Sequence, residues 1–436
     1  MSSISAPVSR LISRTTRLPH GSPGGSASLL DLLPAPDACA WVRRGEGLVG
    51  LGPALRLDFP AENGFAAAAR AWQDLTDLAV VRDDVDLPGS GPVAFVSFPF
   101  SPGSAATASL IVPSVVVGRR ENQSWITTIS WDGRLPTAAT AEQTDPAPGP
   151  GRTRPEPGTL PPRVWTDRVA EAVRMIGGGL DKVVLARDVV VRGEHDFDAR
   201  WVAGRLAERY ENCWTFSVAG LVGATPELLV RSERGLATSR VLAGTIRRTG
   251  DDEHDLAQAA SLARSSKDLE EHEYAVRSVA EALHPHCDSM NVPESPFVLH
   301  LPNVMHLATD VTGVLHRADE TGERVAPHAS ILDLGASLHP TAAVCGTPSD
   351  LAAKVIDELE QMDRGRYAGP VGWVDANGDG ELGIALRCGQ VEDDGAAMRL
   401  FAGCGIVAGS QPAEELAESE AKLEPMLQAL GSGHLG

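Results

Sequence analysis

The sequence predicts an α+β fold, in which antiparallel strands and helices are combined along a chain of 436 residues. Before residue 135 the clearest elements are the strand-like runs "PVAFVSFPF" (92–100) and "SLIVPSVVVG" (109–118). From about residue 164 to residue 430, strand patterns alternate with helical patterns. The turn sequence "DANGDGEL" (375–382) separates two late strands and indicates a hairpin, which requires antiparallel pairing.

The first element is a strand around "LISRTTRL" (11–18) that follows a short loose tail. Arg10, Arg14 and Arg17 precede the first acidic residue, Asp31, in a Ser-rich context, which is also the pattern of an organellar transit peptide. No apolar stretch follows these arginines, so the pattern does not indicate a secretory signal. Between a transit peptide and a strand, we favour the strand.

The segment between Pro136 and Pro162 is rich in Pro, Ala, Thr and Gly and lacks periodicity. Such a composition is typical of a surface connection. We therefore divide the chain into a more variable N-terminal part (1–135), a proline-rich loop (136–162) and a region that carries the candidate site (163–430).

Helices and strands alternate after the loop. The segments with helical spacing are "TDRVAEAVRMI" (166–176), "FDARWVAGRLAERY" (197–210), "SKDLEEHEYAVRSVAEAL" (266–283) and "AEELAESEAKLEPMLQAL" (413–430). The strand-like segments are "LDKVVLARDVVV" (180–191), "CWTFSVAG" (213–220), "ELLVRSE" (227–233), "YAGPVGWVD" (367–375) and "ELGIALRCG" (381–389).

Composition excludes several classes of protein. A net charge of −20 argues against a nucleic-acid or anionic-membrane partner, although an acidic surface can still contain a local basic pocket for a small anion. The six cysteines occur singly, so neither a zinc ribbon nor a thioredoxin-type site is predicted, and reduced thiols in the cytoplasm are the simplest interpretation. No apolar run approaches the ~20 residues of a membrane span.

Lys182 lies near the start of the strand "LDKVVLARDVVV", on the same face as Val184 and Ala186. Either its side chain extends from the mouth of the strand to water, or partial burial favours the neutral amine so that it can act as a base. The strand alone does not decide between these interpretations.

Two acidic stripes have helical spacing. Asp268 and Glu271 are three residues apart, and Glu415 and Glu418 form a similar stripe with Lys422 four residues after Glu418. Either stripe alone can be a solvated surface. If the two met across a cleft, four carboxylates without a soft ligand would suit Mg²⁺.

A possible anion site surrounds the last strands. In "GELGIALRCG" the strand period would place Arg387 among Gly and Ala residues, either on an exposed hairpin face or with room to bind a carboxylate through both guanidinium N–H groups. Gly403 and Gly405 in "FAGCGIVAG" would allow close approach of a ligand to backbone N–H groups. Glu227 starts a strand, and His339 lies in a loop-like segment; singly, each is an ordinary turn feature.

The ordered set of motifs is more informative than any one of them. "KVVLAR", "GATPELL", "LAGTIRR", "KDLEEHE", "HPTAAVCG", "GPVGW", "LRCG" and "LFAGCGIVAGS", followed by "AESEAKL", resemble those of the chorismate-utilising enzymes, and among these the isochorismate synthases. The resemblance covers roughly residues 164–430. It implies one α+β domain of the aminodeoxychorismate synthase-like fold, with two packed, mainly antiparallel sheets, outer helices and a deep active-site cleft. The N-terminal part would then complete the same domain.

The resemblance also implies ligand contacts. Mg²⁺ would bridge Glu271 and Glu418 to the ring carboxylate of chorismate, with Asp268 and Glu415 acting through water. The other implied substrate-binding residues are Arg387, Tyr367, Gly403 and Gly405 at the enolpyruvyl carboxylate, and Lys422, Gly244, Thr245 and His339 around the ring.

The implied chemistry is an isomerisation. Lys182 would be the general base that activates a water for attack at C2, and Glu227 the general acid that protonates the hydroxyl leaving from C4. Desolvation would favour the required neutral forms of both side chains. Cys404 stands where relatives often have Ala or Gly, which we interpret as tolerated variation.

Two other functions remain open. A salicylate synthase would use the same residues and then eliminate pyruvate, whereas a non-catalytic chorismate-binding protein would be expected to lack Lys182 or Glu227. Anthranilate-type relatives carry glutamine at the position of Lys182, so we expect no glutaminase subunit. A monomer is more consistent with the resemblance than an oligomer, and the product could serve menaquinone, siderophore or salicylate synthesis.

Overall fold

The structure is a computed structural model that describes residues 10–19, 21–134, 139–317, 328–392 and 394–432. Its strands are β1 (Ile12–Leu18), β2 (Cys39–Arg43), β3 (Glu46–Phe59), β4 (Val80–Asp83), β5 (Val93–Ser97), β6 (Ala108–Arg120), β7 (Gln123–Ser130), β8 (Thr153–Pro157), β9 (Lys182–Gly193), β10 (Trp214–Val218), β11 (Leu221–Thr225), β12 (Leu228–Glu233), β13 (Leu236–Arg247), β14 (Cys287–Asn291), β15 (Phe297–His300), β16 (Val304–Leu315), β17 (Gly346–Thr347), β18 (Pro370–Asp375), β19 (Gly380–Ile384), β20 (Cys388–Val391) and β21 (Ala397–Ile406). Its helices are α1 (Pro23–Ser26), α2 (Gly64–Asp77), α3 (Pro162–Met175), α4 (Ala199–Arg209), α5 (Asp252–Leu262), α6 (Ser266–Leu283), α7 (Ile331–Leu338), α8 (Ser349–Glu360) and α9 (Pro412–Ala429).

Strand pairing forms two wings that branch at the long strand β6. The first wing runs β4-β1-β7-β6-β3-β2-β10-β11-β20-β21-β9, and the second leaves β6 through β5 and runs β18-β19-β12-β13-β16. All pairs are antiparallel except β1 with β4, which is parallel. The mainly antiparallel α+β fold predicted from the sequence is therefore observed.

The parts of the chain before and after the proline-rich segment share these wings. β5 pairs with β18, and β2 pairs with β10, so backbone hydrogen bonds join residues 39–97 to residues 214–375. This pairing fits a single domain. Within the described part of the predicted loop, residues 139–152 and 158–161 lack helix or strand, but β8 pairs with β9 and extends the first wing; residues 136–138 lie outside the described residues.

The helices cover the wings, and their positions bring the acidic stripes to the sheets. α6 packs on β13 and β16, and α9 packs on β21, while α8 lies against β9. Ser265 caps α6, and its hydroxyl accepts from the backbone N–H of Asp268. No helix in the described part of the chain is long and apolar enough to cross a membrane.

The ends of the chain agree with prediction only where they are described. The predicted N-terminal strand is confirmed as β1, and the tail before residue 10 lies outside the described residues. The hairpin predicted at "DANGDGEL" is confirmed, because β18 and β19 pair across it. The strand alternation predicted through Arg387 is wrong: β19 ends at Ile384, β20 begins at Cys388, and Arg387 has a left-handed φ of 49°.

Candidate active site

A cavity opens where the two wings face each other. Strands β9 and β21 supply lining residues from the first wing, and β13 and β16 supply them from the second. The lining side chains and backbone are those of Val184, Pro226, Glu227, Leu242, Ala243, Gly244, Thr245, Glu271, His306, Ala343, Val344, Arg364, Tyr367, Ala368, Leu386, Arg387, Phe401, Ala402, Gly403, Gly405 and Lys422. Most of the residues predicted from the motifs are thus gathered around one space.

Lys182 is the first residue of β9 and is fully buried. Its Nζ lies 3.1 Å from Glu271 Oε1 and has no hydrogen-bond partner among the described residues. A Cβ at position 405 would come within 2.2 Å of Glu271 Oε1 and 2.9 Å of Lys182 Cε, so glycine is required there. The interpretation of Lys182 as a solvent-exposed strand residue is therefore wrong, and its Nζ is held beside a carboxylate that lines the cavity.

Glu227 follows β11 and Pro226 and is also buried. Its backbone is fixed, because its N–H donates to Thr225 Oγ1 and its carbonyl accepts from the N–H of Ile384. Burial raises the pKa of Glu227 to about 8, against the opposing effect of a backbone hydrogen bond from Leu242 and the positive charges of Lys182 and other residues. At neutral pH this carboxyl group is mainly protonated and can donate a proton into the cavity.

The acidic stripes of α6 and α9 lie next to each other, as a metal site with four carboxylates would require. Burial raises the pKa of Asp268 on α6, and the nearby carboxylates of Glu271 and Glu418 add to that rise. Burial likewise raises the pKa of Glu415 on α9, with a further contribution from Glu418. A direct contact between the two helices agrees with this, because Lys267 on α6 pairs with Glu415 on α9.

Three lysines balance this carboxylate cluster. Besides the pair of Lys182 with Glu271, Lys267 Nζ lies 2.9 Å from Glu415 Oε1, and Lys422 Nζ lies 2.5 Å from Glu418 Oε1. Three of the four carboxylates therefore lie beside a lysine nitrogen in a site of low exposure. Their oxygens remain hard ligands for a metal ion.

The donor set fits Mg²⁺ better than a softer cation. The sulfur of Cys404 and one oxygen each of Glu415 and Glu418 lie within 4.8 Å of one another. Burial raises the pKa of the Cys404 thiol well above its usual value, so it stays protonated, and it donates to the carbonyl of Glu415. Carboxylate oxygens are then the available ligands, and Mg²⁺ prefers oxygen.

The other end of the cavity is formed around Arg387. Arg387 is buried, and it forms no ion pair within the described part of the chain. Its Nη2 donates to His306 Nε2 at 3.2 Å. Lys422, the partner of Glu418, also donates to the carbonyl of Gly403, so it joins this region to the carboxylate cluster. The ring of Tyr367 stacks on Phe401 with centroids 5.0 Å apart. A guanidinium without a carboxylate partner, next to a tyrosine, is suited to an anionic group of a ligand.

His306 is a cavity residue that the sequence interpretation missed. Because Arg387 donates to Nε2, the proton of the neutral ring is on Nδ1, which lies 3.1 Å from Thr245 Oγ1 and donates to it. Burial, with the positive charges of Arg387 and Lys422, lowers the pKa of His306 well below its usual value, so the ring stays neutral. A single His within the apolar run "VMHLA" gave no signal that could distinguish it from a core residue.

His339, by contrast, is not brought to the cavity. Its Nε2 donates to the carbonyl of Phe100 at 2.9 Å, and its ring packs edge-on against the ring of Phe100. The same motif contributes Ala343 and Val344 to the cavity instead. Its predicted contact with the substrate ring therefore has no support in this geometry.

Comparison with known proteins places this site in a family. A family model described as chorismate binding enzyme matches residues 39–431. Isochorismate synthase DhbC of Bacillus subtilis is 38% identical over 273 residues, which cover 60% of this chain and 66% of that protein, just under two thirds of its length. A Mycobacterium tuberculosis protein provisionally named isochorismate synthase MenF is 35% identical over 354 residues, or 79% of this chain and 87% of that protein.

A solved structure agrees over nearly the whole chain. The structure of a Bacillus anthracis protein, provisionally named as the 2,3-dihydroxybenzoate-specific isochorismate synthase DhbC, superposes with a TM-score of 0.73 at 30% identity. It covers 91% of this chain and 97% of that one. The resemblance inferred from the motifs and the predicted fold class are both confirmed.

Proposed function

We propose that this chain, which belongs to the family of chorismate-binding enzymes, is an isomerase that converts chorismate to isochorismate with the help of Mg²⁺. The observation that carries the proposal is Glu227, a buried carboxyl group with a pKa of about 8 that lines a cavity together with Arg387 and Lys422. The relatives named as isochorismate synthases support the same reaction. Residues 163–430 would carry the chemistry, and residues 1–135 would complete the fold.

The reaction needs a base and an acid at the same time. Hydroxide is a poor leaving group, so protonation of the C4 hydroxyl must accompany attack of water at C2. Lys182 takes a proton from the attacking water as the new C–O bond forms at C2. Glu227 gives its proton to the C4 hydroxyl, which leaves as water while the ring double bonds shift. The proton gained by Lys182 and the one lost by Glu227 balance, and the substrate and product are isomers.

The carboxylate cluster would hold the metal. Glu271 and Glu418 would bind Mg²⁺ together with the ring carboxylate of the substrate, and Asp268 and Glu415 would orient its waters. When bound, the ion supplies the positive charge that allows an anionic substrate to enter an acidic site. Lys267 and Lys422, which pair with Glu415 and Glu418, supply part of that charge in the protein alone.

The end of the cavity around Arg387 would orient the substrate. Arg387 and Tyr367 would bind the carboxylate of the enolpyruvyl arm, with backbone N–H groups near Gly403 and Gly405 assisting. Thr245, Gly244 and Lys422 would line the ring's pocket. A dicarboxylate bound in this way would be held at two points, which would restrict the position of the ring relative to Lys182.

Product analysis tests the proposal. Purified protein is incubated with chorismate and Mg²⁺, and the products are separated by chromatography with parallel assays for pyruvate and salicylate. We expect isochorismate in equilibrium with chorismate, without pyruvate, and no aminated product when ammonia is added. Stoichiometric salicylate and pyruvate would instead identify a salicylate synthase, and binding of chorismate without turnover would identify a non-catalytic binding protein.

We also propose that the enzyme works as a monomer in the cytoplasm. Its six cysteines are unpaired and buried, as expected in a reducing compartment. Size-exclusion chromatography with light scattering should give a mass near 45.9 kDa; a stable mass of twice that value would contradict the monomer.

A further inference from the structure

One edge of β9 lacks a continuous partner strand. On this edge β17 pairs with Lys182 and Val183, and β8 pairs with Val189 to Gly193. Over residues 184–188, no strand in the described part of the chain pairs with it on this side. The gap begins two residues after Lys182, so it affects the segment that positions the proposed base.

Side chains fill most of this gap, while the N–H of Val184 donates to the backbone carbonyl of Cys345 at 2.8 Å. Arg364 Nη2 donates to the carbonyl of Val184 at 2.8 Å, and Glu360 Oε1 accepts from the N–H of Ala186 at 2.6 Å. Trp165 Nε1 donates to the carbonyl of Ala186 at 3.1 Å. Each of these backbone groups is buried, and a buried backbone group without a partner is costly.

Arg364 also joins two walls of the cavity. Its Nη1 donates to the carbonyl of Val344 at 2.9 Å, while Nη2 holds Val184 on β9. Both valines line the cavity, and they belong to segments far apart in sequence. A planar guanidinium can make these bonds and pair with Glu360 at the same time, which an ammonium cannot do.

The pair is buried and its polar atoms are occupied. Arg364 and Glu360 have side chains that are 2% and 1% exposed, and Arg364 Nε donates to Glu360 Oε2 at 2.9 Å. A buried ion pair is often no more stabilising than apolar side chains of the same volume, because removing two charges from water is expensive. A gain in stability is therefore a weak explanation for this pair. Its contacts with the backbone of β9 and of Val344 are a stronger one.

We propose that Glu360 and Arg364 are positioning residues that set the location of Lys182 relative to the substrate, an inference that rests on the proposed role of Lys182 as the base. Lys182 Nζ has an ion pair with Glu271 but no hydrogen bond within the described residues, so the path of β9 decides where the amine lies. The substrate carboxylates would be held by residues on other elements. A change in the pair should thus alter the chemical step more than binding.

The test compares Arg364→Lys with Arg231→Lys. Arg231 Nε also pairs with a mostly buried carboxylate, Glu381, at 2.7 Å, but it lies on β12 and does not line the cavity. For Arg364→Lys we expect kcat to fall about 10- to 100-fold, since misplacement of a reacting group by about 1 Å can cost 10²-fold, with KM changed less than about threefold. Arg231→Lys should leave both constants near wild type. Unchanged kcat in folded Arg364→Lys, or a rise in KM as large as the fall in kcat, would overturn the proposal.

A second readout does not depend on turnover. Hydrogen exchange, followed by mass spectrometry, should show faster exchange in the segment containing Val184 and Ala186 for Arg364→Lys but not for Arg231→Lys. If the wild type makes no isochorismate, the proposed function fails while the exchange measurement still tests the pair. Equal protection of this segment in the two variants would refute its role.

Trp165→Phe provides a variant that keeps all charges, in case Arg364→Lys does not fold. It removes the neutral donor to Ala186, two residues farther from Lys182 than Val184, and makes the buried side chain smaller. We expect kcat to fall about threefold with KM unchanged, by analogy with the loss of one neutral hydrogen bond. A wild-type kcat with this donor absent would count against a positioning role for the whole edge.

Discussion

The two ends of the cavity balance charge in opposite ways. At the carboxylate cluster, Glu271, Glu415 and Glu418 each lie within 3.1 Å of a lysine nitrogen. At the other end, Arg387 has a neutral histidine as its neighbour and no ion pair among the described residues. The carboxylates of the first end therefore mostly have partners within the protein. The guanidinium of Arg387 at the second end lacks a carboxylate partner, which a ligand can supply.

This difference indicates how a dicarboxylate would be oriented. An anionic group gains most where a buried cation has no partner, so the Arg387 end should select one carboxylate directly. At the other end an anion meets a cluster of acidic residues and can bind only with additional positive charge. We expect substitutions at the first end to weaken substrate binding and substitutions at the second end to change metal dependence or chemistry.

The largest effect is expected at Lys182, where the carboxylate cluster meets the chemistry. Lys182→Ala should lower kcat by about 10⁴-fold, the upper range for loss of a general base. Lys354→Ala, which removes an exposed lysine on α8, is the matched control and should behave as wild type. Circular dichroism and thermal unfolding establish that both variants fold. Substantial turnover by folded Lys182→Ala would exclude it as the base.

Glu227 should have the next largest effect, with a characteristic dependence on pH. Glu227→Gln cannot donate the proton and should lower kcat about 10³-fold. In the wild type the acid is active when protonated, so kcat/KM should be highest below pH 8 and fall tenfold per unit above it, following the pKa of about 8. A rate that stays level to pH 10 would contradict this assignment.

The same group should make the wild type less stable as pH rises. Its folded pKa of about 8 exceeds the reference value of 4.5, so between these values the folded state binds more protons than the unfolded state. The free energy of unfolding should therefore decrease from pH 5 to pH 8 relative to that of Glu227→Gln, on the order of a few kcal/mol in total. Denaturant unfolding at several pH values measures the difference, and parallel curves for the two proteins would rule out the raised pKa.

Glu271→Gln should separate metal binding from substrate binding. We expect the Mg²⁺ concentration for half-maximal activity to rise roughly 100-fold, the upper range for perturbed metal sites, with a smaller change in KM at saturating metal. Glu273→Gln on the same helix alters an exposed surface pair and serves as the control. Metal titration by calorimetry without chorismate should show the same loss. Identical Mg²⁺ dependence in the two variants would count against Glu271 as a ligand.

Arg387→Lys should act at the other end and leave metal dependence unchanged. An ammonium cannot reproduce a two-point contact to a carboxylate, and loss of one charged hydrogen bond corresponds to about a 30-fold rise in KM. Activity measured against chorismate at fixed, saturating Mg²⁺ gives this value, and a Mg²⁺ titration gives the comparison. A shift in metal dependence instead would remove the distinction between the two ends.

The residues predicted from the sequence were those whose chemistry is carried by ordered motifs. Lys182, Glu227 and the four carboxylates could be chosen because they stand in motifs that resemble those of the chorismate-utilising enzymes. Taken singly, each was compatible with an ordinary surface or turn residue. His306 could not, because one histidine in an apolar strand is ordinary. The left-handed φ of Arg387 could not be predicted from the sequence either, because the alternating pattern assumes that the strand continues through this residue.

Long-range packing accounts for the remaining differences. The proline-rich segment contains β8 because the edge of β9 offers unpaired backbone groups there, which no local pattern shows. His339 was predicted to line the cavity because it belongs to a motif that reaches it. In the structure its Nε2 instead donates to the backbone carbonyl of Phe100. Glu360 and Arg364 lie on or just after a helix, and only the folded chain brings them to the gap in β9.

Among substitutions at the two ends, the smallest effect should come from Thr245, which links the two ends through neutral groups. His306 Nδ1 donates to Thr245 Oγ1, so the threonine hydroxyl is free to donate into the cavity, and Arg387 is held by the other nitrogen of the same ring. Thr245→Val keeps the shape and removes the hydroxyl, and loss of one neutral hydrogen bond corresponds to about a fivefold fall in kcat/KM. Thr15→Val, which removes a buried hydroxyl bonded to Thr127 in the N-terminal part, should lower stability without this kinetic effect. If kcat/KM fell as far in Thr245→Val as in Arg387→Lys, the loss of the hydroxyl would be acting on Arg387 through His306. The two ends would then have to be treated as one coupled network.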